Sequence, residues 1–292
     1  MIALASTLTS PMVRKLGLVA SLLILLGSFG GGSLQKRNSL LSAANLDFLS
    51  FGHGAAFSNV TLWLGTVLFV VSWVLMGKLV IDKIVDADYV RRTLCVWLVP
   101  LVGAAPIMSR DVYSYLMQGT LLRDGLNAYT QGPASNPNQI LFEVSHDWRN
   151  TTTPYGPLHL WLGEAVTPVF GDNVTAGVYA FKALAVAGFV AIMWFVPKIA
   201  KRLGANPAFA LWLGVANPVM VFHLVGGMHN EAMMVGLVTV GLYLVVRQSA
   251  YPAVLGGFFA GVALIAVAMA LKASAALCLP FVVWLVVNRA RE

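Results

Sequence analysis

Eight stretches of this chain carry almost no formal charge: 16–35, 54–77, 93–109, 173–197, 203–230, 232–246, 248–271 and 273–288, with Lys182 the sole Lys, Arg, Asp or Glu inside them. A helix needs about 20 apolar residues to cross a hydrocarbon core of roughly 30 Å, and fewer when snorkelling groups cap its ends. The unbroken Leu, Val and Ala runs lack the alternation that a membrane barrel imposes on its strands. Only 11% of the 292 residues are charged, against roughly 25% in soluble domains. The sequence therefore predicts an all-α integral membrane protein, a multi-span helical bundle of about eight transmembrane helices, with 1–292 forming a single transmembrane domain.

The basic balance, 19 Lys+Arg against 12 Asp+Glu, reads as loop charge of the positive-inside kind rather than as a nucleic-acid footprint. With the N-terminus in the cytoplasm, twelve basic residues fall on that side: Arg14, Lys15, Lys78, Lys83, Arg91, Arg92, Lys198, Lys201, Arg202, Arg247, Arg289 and Arg291. Six fall outside, over more chain: Lys36, Arg37, Arg110, Arg123, Arg149 and Lys272. This asymmetry predicts a multi-pass plasma-membrane protein with both termini cytoplasmic. Arg14-Lys15 before the apolar run Leu16–Phe29 resembles a signal peptide, but the further spans make it a retained first helix. Cys95 and Cys278 lie in apolar stretches, so neither a structural disulfide nor a Cys/His metal site is expected.

The longest polar stretch, 109–172, then faces outward. Its first part predicts a helix over Ser109–Asp124 with Asp111, Ser114 and Gln118 on one face at i, i+3, i+7 spacing, stopped by Gly125-Leu126-Asn127. A Pro/Asn/Gln-rich loop follows, ending in Thr153-Pro154-Tyr155-Gly156-Pro157. Leu158–Phe170, which includes Glu164, is too short to cross and predicts a half-helix in the outer interface. The stretch forms an external loop with short interfacial helices.

Two motifs at the outer edges of spans hold the acids that stand out. Asp111 follows Arg110 at a helix start, where the dipole and the guanidinium both favour its anion. The same pair is also what a merely stabilising first-turn carboxylate looks like. His229-Asn230-Glu231 follows Gly226-Gly227, where the backbone can break. Ionisable groups at a membrane edge are costly unless they have work to do, although a solvated outer turn is the plainer reading. Lys272, a lone cation on the outer side, suits an anionic partner such as a lipid phosphate, or simple snorkelling. Lys182 has the same two readings, with snorkelling the favoured one, and His223 reads as a hydrogen-bonded core histidine.

The aromatic and amide content of the loop, with Tyr113, Gln118, Tyr129, Trp148, Tyr155 and Trp161 among it, suits a sugar: ring faces cover a pyranose while amides take its hydroxyls. A membrane-interface belt has the same composition. No Walker motif, nucleotide-binding glycine loop, HExxH or Ser-His-Asp pattern occurs, so a nucleotide-dependent cytosolic reaction is not expected.

Taken together, Ser109-Arg-Asp-Val-Tyr-Ser-Tyr115, Gln118-Gly119, Gly125-Leu-Asn-Ala-Tyr129, Tyr155-Gly-Pro157, Asn217-Pro218, His223-Leu-Val-Gly-Gly-Met-His-Asn-Glu231 and Leu271-Lys272 resemble the actinobacterial polyprenol-phosphomannose-dependent α-1,6-mannosyltransferases. These are membrane enzymes of the GT-C type that act in lipomannan and lipoarabinomannan biosynthesis. The resemblance covers roughly residues 90–285; the family generally carries Asp where this chain has Glu231, and it continues with further spans. It therefore implies an N-terminal portion, a truncated product or a shortened relative. It also implies a polyprenyl phosphate mannose donor, a lipid-anchored mannan acceptor and an inverting transfer at the outer face of the membrane. Asp111 would be the catalytic base. Arg110, Tyr113, Gln118, Tyr155, His229, Asn230, Glu231 and Lys272 would bind substrate, with Lys272 and Arg110 nearest the phosphate. With only Asp111 and Glu231 as candidate ligating acids, no cofactor or divalent metal is expected, and the partners are membrane lipids rather than nucleic acid.

A transporter or flippase of polyprenyl-linked sugars is the rival reading, since it too needs broken helices and membrane-edge acids. The lopsided outer loop, with Asp111 and Glu231 both at the edge of one side rather than near the midplane, favours an enzyme over it. An inactive relative is the third.

Overall fold

The structure, a computed structural model, describes residues 9–35, 39–171, 173–247 and 253–291. Lys36 and Arg37, counted above on the outer side, lie outside the described residues. The helices in chain order are α1 (Ser10–Gly31), α2 (Ser39–Ala43), α3 (Gly52–Ile81), α4 (Ala87–Gly103), α5 (Asp111–Arg123), α6 (Pro157–Phe170), α7 (Val174–Arg202), α8 (Pro207–Gly214), α9 (Pro218–Met220), α10 (Glu231–Val246), α11 (Ala253–Leu271) and α12 (Leu279–Arg291). There is no strand among the described residues. Helices α1, α3 and α7 are each long and apolar enough to cross a membrane, while α10, α11 and the segment Ala273–Asn288 are apolar but shorter. Each of the eight apolar stretches thus holds helix. The protein is an all-α membrane protein.

The chain forms two compact units, one of residues 1–108 and 206–226, the other of 109–205 and 227–292. In the first, α1 and α3 pack closely where Gly27 and Gly65 leave room for the partner backbone. Trp73 of α3 and Trp212 of α8 each donate an indole N–H to the other's backbone carbonyl, at 3.0 and 2.9 Å. Along α3, Phe57, Val60, Leu64, Val67, Val71 and Val74 are exposed at helical spacing. Such a stripe is costly in water and at rest in lipid.

The stretch 203–230, read from sequence as one span, is broken in this unit. Asn217 accepts the Val219 N–H and Pro218 stands at the first helical position, so a new helix starts there. The backbone then runs as a π-helix over Val221–Gly226, bent by 55° from α8. A second correction falls here: His223 is exposed rather than in the core, while Phe222 and Leu224 on either side of it are buried.

In the second unit the expected outer helix is α5, whose face carrying Val112, Tyr115 and Leu116 is buried. Gly125, at φ +78°, stops it, and the Leu126 N–H reaches the Leu121 carbonyl at 2.8 Å, the reverse-turn cap that glycine makes accessible. The half-helix is α6; its 14 residues span only about 21 Å at 1.5 Å per residue. Between them the loop makes three short 3₁₀ turns, Pro133–Ser135, Gln139–Glu143 and His146–Trp148. Lys182, on α7, does not reach the surface; it is buried in this unit.

Helices α5 and α6 cross at Gly119 and Gly163, so closely that a Cβ at Gly119 would overlap the Gly163 backbone. Neither partner is a flexible side chain, so neither can give way. Gly119→Val is therefore expected to cost about 1–3 kcal/mol of stability, read as a lower thermal unfolding midpoint in detergent; an unchanged midpoint would show that the crossing opens freely. A last tie matters for the site. The Gly156 N–H donates to the Leu271 carbonyl at 3.0 Å, which pins the end of the loop before α6 to the end of α11 and brings Tyr155 beside Lys272.

Candidate active site

The two acid-bearing motifs each open a helix. Ser109 Oγ accepts the Asp111 N–H at 3.1 Å, and Asp111 is the first residue of α5. Glu231 is the first residue of α10. Both carboxylates thus sit where a helix dipole favours negative charge. Met228, just before His229, holds φ at +56° without being glycine. Strain of that kind persists only where the surroundings enforce it, and here it turns the chain so that His229 faces Asp111.

The side chains from these two distant segments meet. His229 Nδ1 lies 3.5 Å from Asp111 Oδ2 and 3.9 Å from Glu231 Oε2. Glu231 Oε1 in turn accepts from Lys272 Nζ, which also stands 5.5 Å from the centre of the Tyr155 ring. The result is a row of acid, imidazole, acid and ammonium, in which Lys272 neutralises Glu231. All four are partly shielded, with side-chain exposures of 27%, 13%, 25% and 31%. Electrostatic effects are stronger there than in open water.

Arg110 goes elsewhere. Its Nη2 donates to Glu143 Oε2 at 2.7 Å, its Nε to the Glu143 carbonyl at 2.8 Å, and its guanidinium lies 4.7 Å from the Tyr113 ring centre. The Glu143 side chain is only 5% exposed. Arg110 and Tyr113 therefore belong to a cluster that clamps the loop onto α5. The structure joins Asp111, His229, Glu231, Lys272 and Tyr155, and leaves Arg110 and Tyr113 out of that row.

Beside Asp111 is a cavity of about 250 Å³, lined by Asp111, Ser114, Gln118, Trp148, Thr151, Thr152, Pro154 and Tyr155. The α5 face at i, i+3, i+7 spacing forms one wall and the loop 148–155 the other. Ser114 Oγ and Gln118 Oε1 are buried and lack a hydrogen-bond partner among the described residues, a costly state in a folded protein.

Behind Tyr155 lies His159, 1% exposed and packed edge-on against Tyr115 with ring centres 4.7 Å apart. Its Nδ1 is 3.4 Å from Asn230 Nδ2. Burial pushes the imidazole down to about 4, so at neutral pH it is an uncharged support for Asn230, the residue between His229 and Glu231. The sequence singles out neither His159 nor Glu143. A lone acid in an aperiodic loop carries no signal of the arginine it meets.

These features define an all-helical membrane protein whose acids, imidazole and ammonium gather where two helices begin, next to a polar and aromatic cavity. The chain belongs to the α-(1→6)-mannopyranosyltransferase family: the family model described as "Alpha-(1->6)-mannopyranosyltransferase, N-terminal domain" matches residues 14–288. Among curated relatives, "Alpha-(1->6)-mannopyranosyltransferase A" of Corynebacterium glutamicum is 55% identical over 90% of this chain and 54% of its own length. A protein of the same name from Mycobacterium tuberculosis is 40% identical over 95% of this chain and 52% of its own. The chain spans about half the length of the curated relatives it matches. No solved structure matches it.

Proposed function

We propose that the protein transfers mannose from a polyprenyl phosphate mannose donor to a lipid-anchored mannan, making an α-1,6 linkage at the outer face of the plasma membrane as part of lipomannan and lipoarabinomannan biosynthesis. The observation that carries this reading is the Asp111–His229–Glu231–Lys272 row opening beside a polar and aromatic cavity. The names of the curated relatives support the mannosyl group and the linkage, and the excess of basic residues on the opposite loops supports the outer face.

In this reading the acceptor hydroxyl oxygen attacks the anomeric carbon as the bond to the phosphate oxygen breaks. The electron pair leaves with the phosphate, and the hydroxyl proton passes to Asp111 as general base. His229 holds one carboxylate oxygen of Asp111 and so orients the base. Lys272, tethered by Glu231, meets the charge that develops on the departing phosphate. Arg110 contributes by fixing the loop beside Asp111 rather than by touching the phosphate. Asn230, Gln118 and Tyr155 line or support the space where sugar binds.

The test is a membrane assay with radiolabelled β-mannosyl phosphoryl polyprenol and a short α-mannoside. The expected product is a mannoside longer by one α-linked residue, which a linkage-specific α-mannosidase releases. Labelled product of β configuration, or donor crossing the bilayer without transfer, would overturn the proposal.

A further inference from the structure

The geometry points to the cavity between α5 and the loop 148–155 as the subsite for the neutral acceptor sugar, a terminal hexopyranose of the mannan, with Ser114 and Gln118 reading its hydroxyls. This rests on the transfer reading above and goes further by assigning sides to the two substrates. An inverting displacement places the incoming oxygen and the leaving phosphate on opposite faces of the anomeric carbon. The base must be on the acceptor's side, and cations on the phosphate's side. Among the described residues, Asp111 is the only charged one lining this cavity, and none of the lining residues is basic. Lys272 stands outside it, over the ring of Tyr155, whose side chain is part of the wall. An anionic phosphate would meet a carboxylate here and no cation. A hydroxyl would meet its base.

The size and the chemistry of the walls agree. A volume of about 250 Å³ lies just below the roughly 300–1,000 Å³ of pockets that enclose drug-sized ligands; one sugar ring suits it and a polyprenyl chain does not. Ser114 and Gln118 are each 6% exposed, and both present an unpartnered oxygen among the described residues. Buried polar atoms without partners are what a ligand rich in hydroxyls satisfies. Trp148 stands half-exposed on the rim, where its ring can cover the apolar face of a pyranose.

Two measurements on the full chain in membranes test the assignment. Gln118→Ala is expected to raise the KM for a short α-1,6-mannoside about tenfold, the effect of one lost hydrogen bond, and to leave the KM for the lipid donor within about twofold. Thr151→Cys, with Cys95 and Cys278 changed to serine, places a thiol on the cavity wall for a membrane-impermeant maleimide. The mannoside is expected to slow its labelling and the lipid donor is not. Because protection needs no turnover, it stands even if transfer is never detected, which separates failure of this subsite from failure of the proposed reaction. Protection by the lipid donor alone, by neither compound, or a KM effect confined to the donor would overturn it.

Discussion

Membranes carrying Asp111→Asn are expected to lose mannosyl transfer by about 10²- to 10⁴-fold in kcat, the usual contribution of a positioned general base, while the KM values change little. The substitution keeps the shape of the side chain and removes only its ability to take a proton. Asp111 is 27% exposed and within 3.5 Å of His229 Nδ1, so an amide can stay in the same place without stranding a buried charge. The protein should still insert and elute as a single species in detergent. Asp111→Glu keeps the proton acceptor but lengthens its arm, and should recover only part of the rate, since catalysis of this kind falls steeply with misplacement. Transfer in the Asn variant within about threefold of the unsubstituted protein would remove Asp111 from the base role. Equal losses in the Asn and Glu variants, with raised KM for the mannoside in both, would make it a binding residue instead.

How much of this could be read beforehand depended on the kind of signal. Hydrophobic runs dictate helices in lipid because every backbone group must be satisfied within the segment, so the positions of α1, α3, α7 and the others were legible. The polar face of α5 was legible too, because a helix fixes which residues share a side: Asp111, Ser114 and Gln118 do line one cavity. Gly125 as a stop followed from the backbone geometry that glycine alone adopts cheaply. The break at Asn217-Pro218 was passed over, since its residues are apolar enough to extend a span even though Pro218 has no N–H to continue one. The sequence names Asp111, His229, Glu231 and Lys272 as site residues, but the row they form, ending at Lys272, is set by tertiary packing. The pairing of Arg110 with Glu143 had no precursor in the sequence at all: it joins residues 33 apart through a loop whose path only tertiary packing sets.

That pairing carries the second large effect. Arg110→Ala leaves the Glu143 carboxylate, 5% exposed, facing no guanidinium, and breaking a buried pair from one side costs about 3–5 kcal/mol. Arg110 itself is 27% exposed, which places the expected loss at the low end of that range. The unfolding midpoint should fall, and proteolysis within 139–149 should quicken as the 3₁₀ turn Gln139–Glu143 loses its hold on α5. Replacing both partners, Arg110→Ala with Glu143→Leu, removes the stranded charge and should restore much of the stability. Transfer activity should track the midpoint across Arg110→Ala, Glu143→Leu and the double variant, because the clamp acts on Asp111 only by holding the backbone next to it. The contrary pattern is equally definite. If Arg110→Ala lowers kcat while the midpoint holds, and Glu143→Leu alone disturbs neither, then the guanidinium reaches the phosphate during the reaction and the clamp is a resting position.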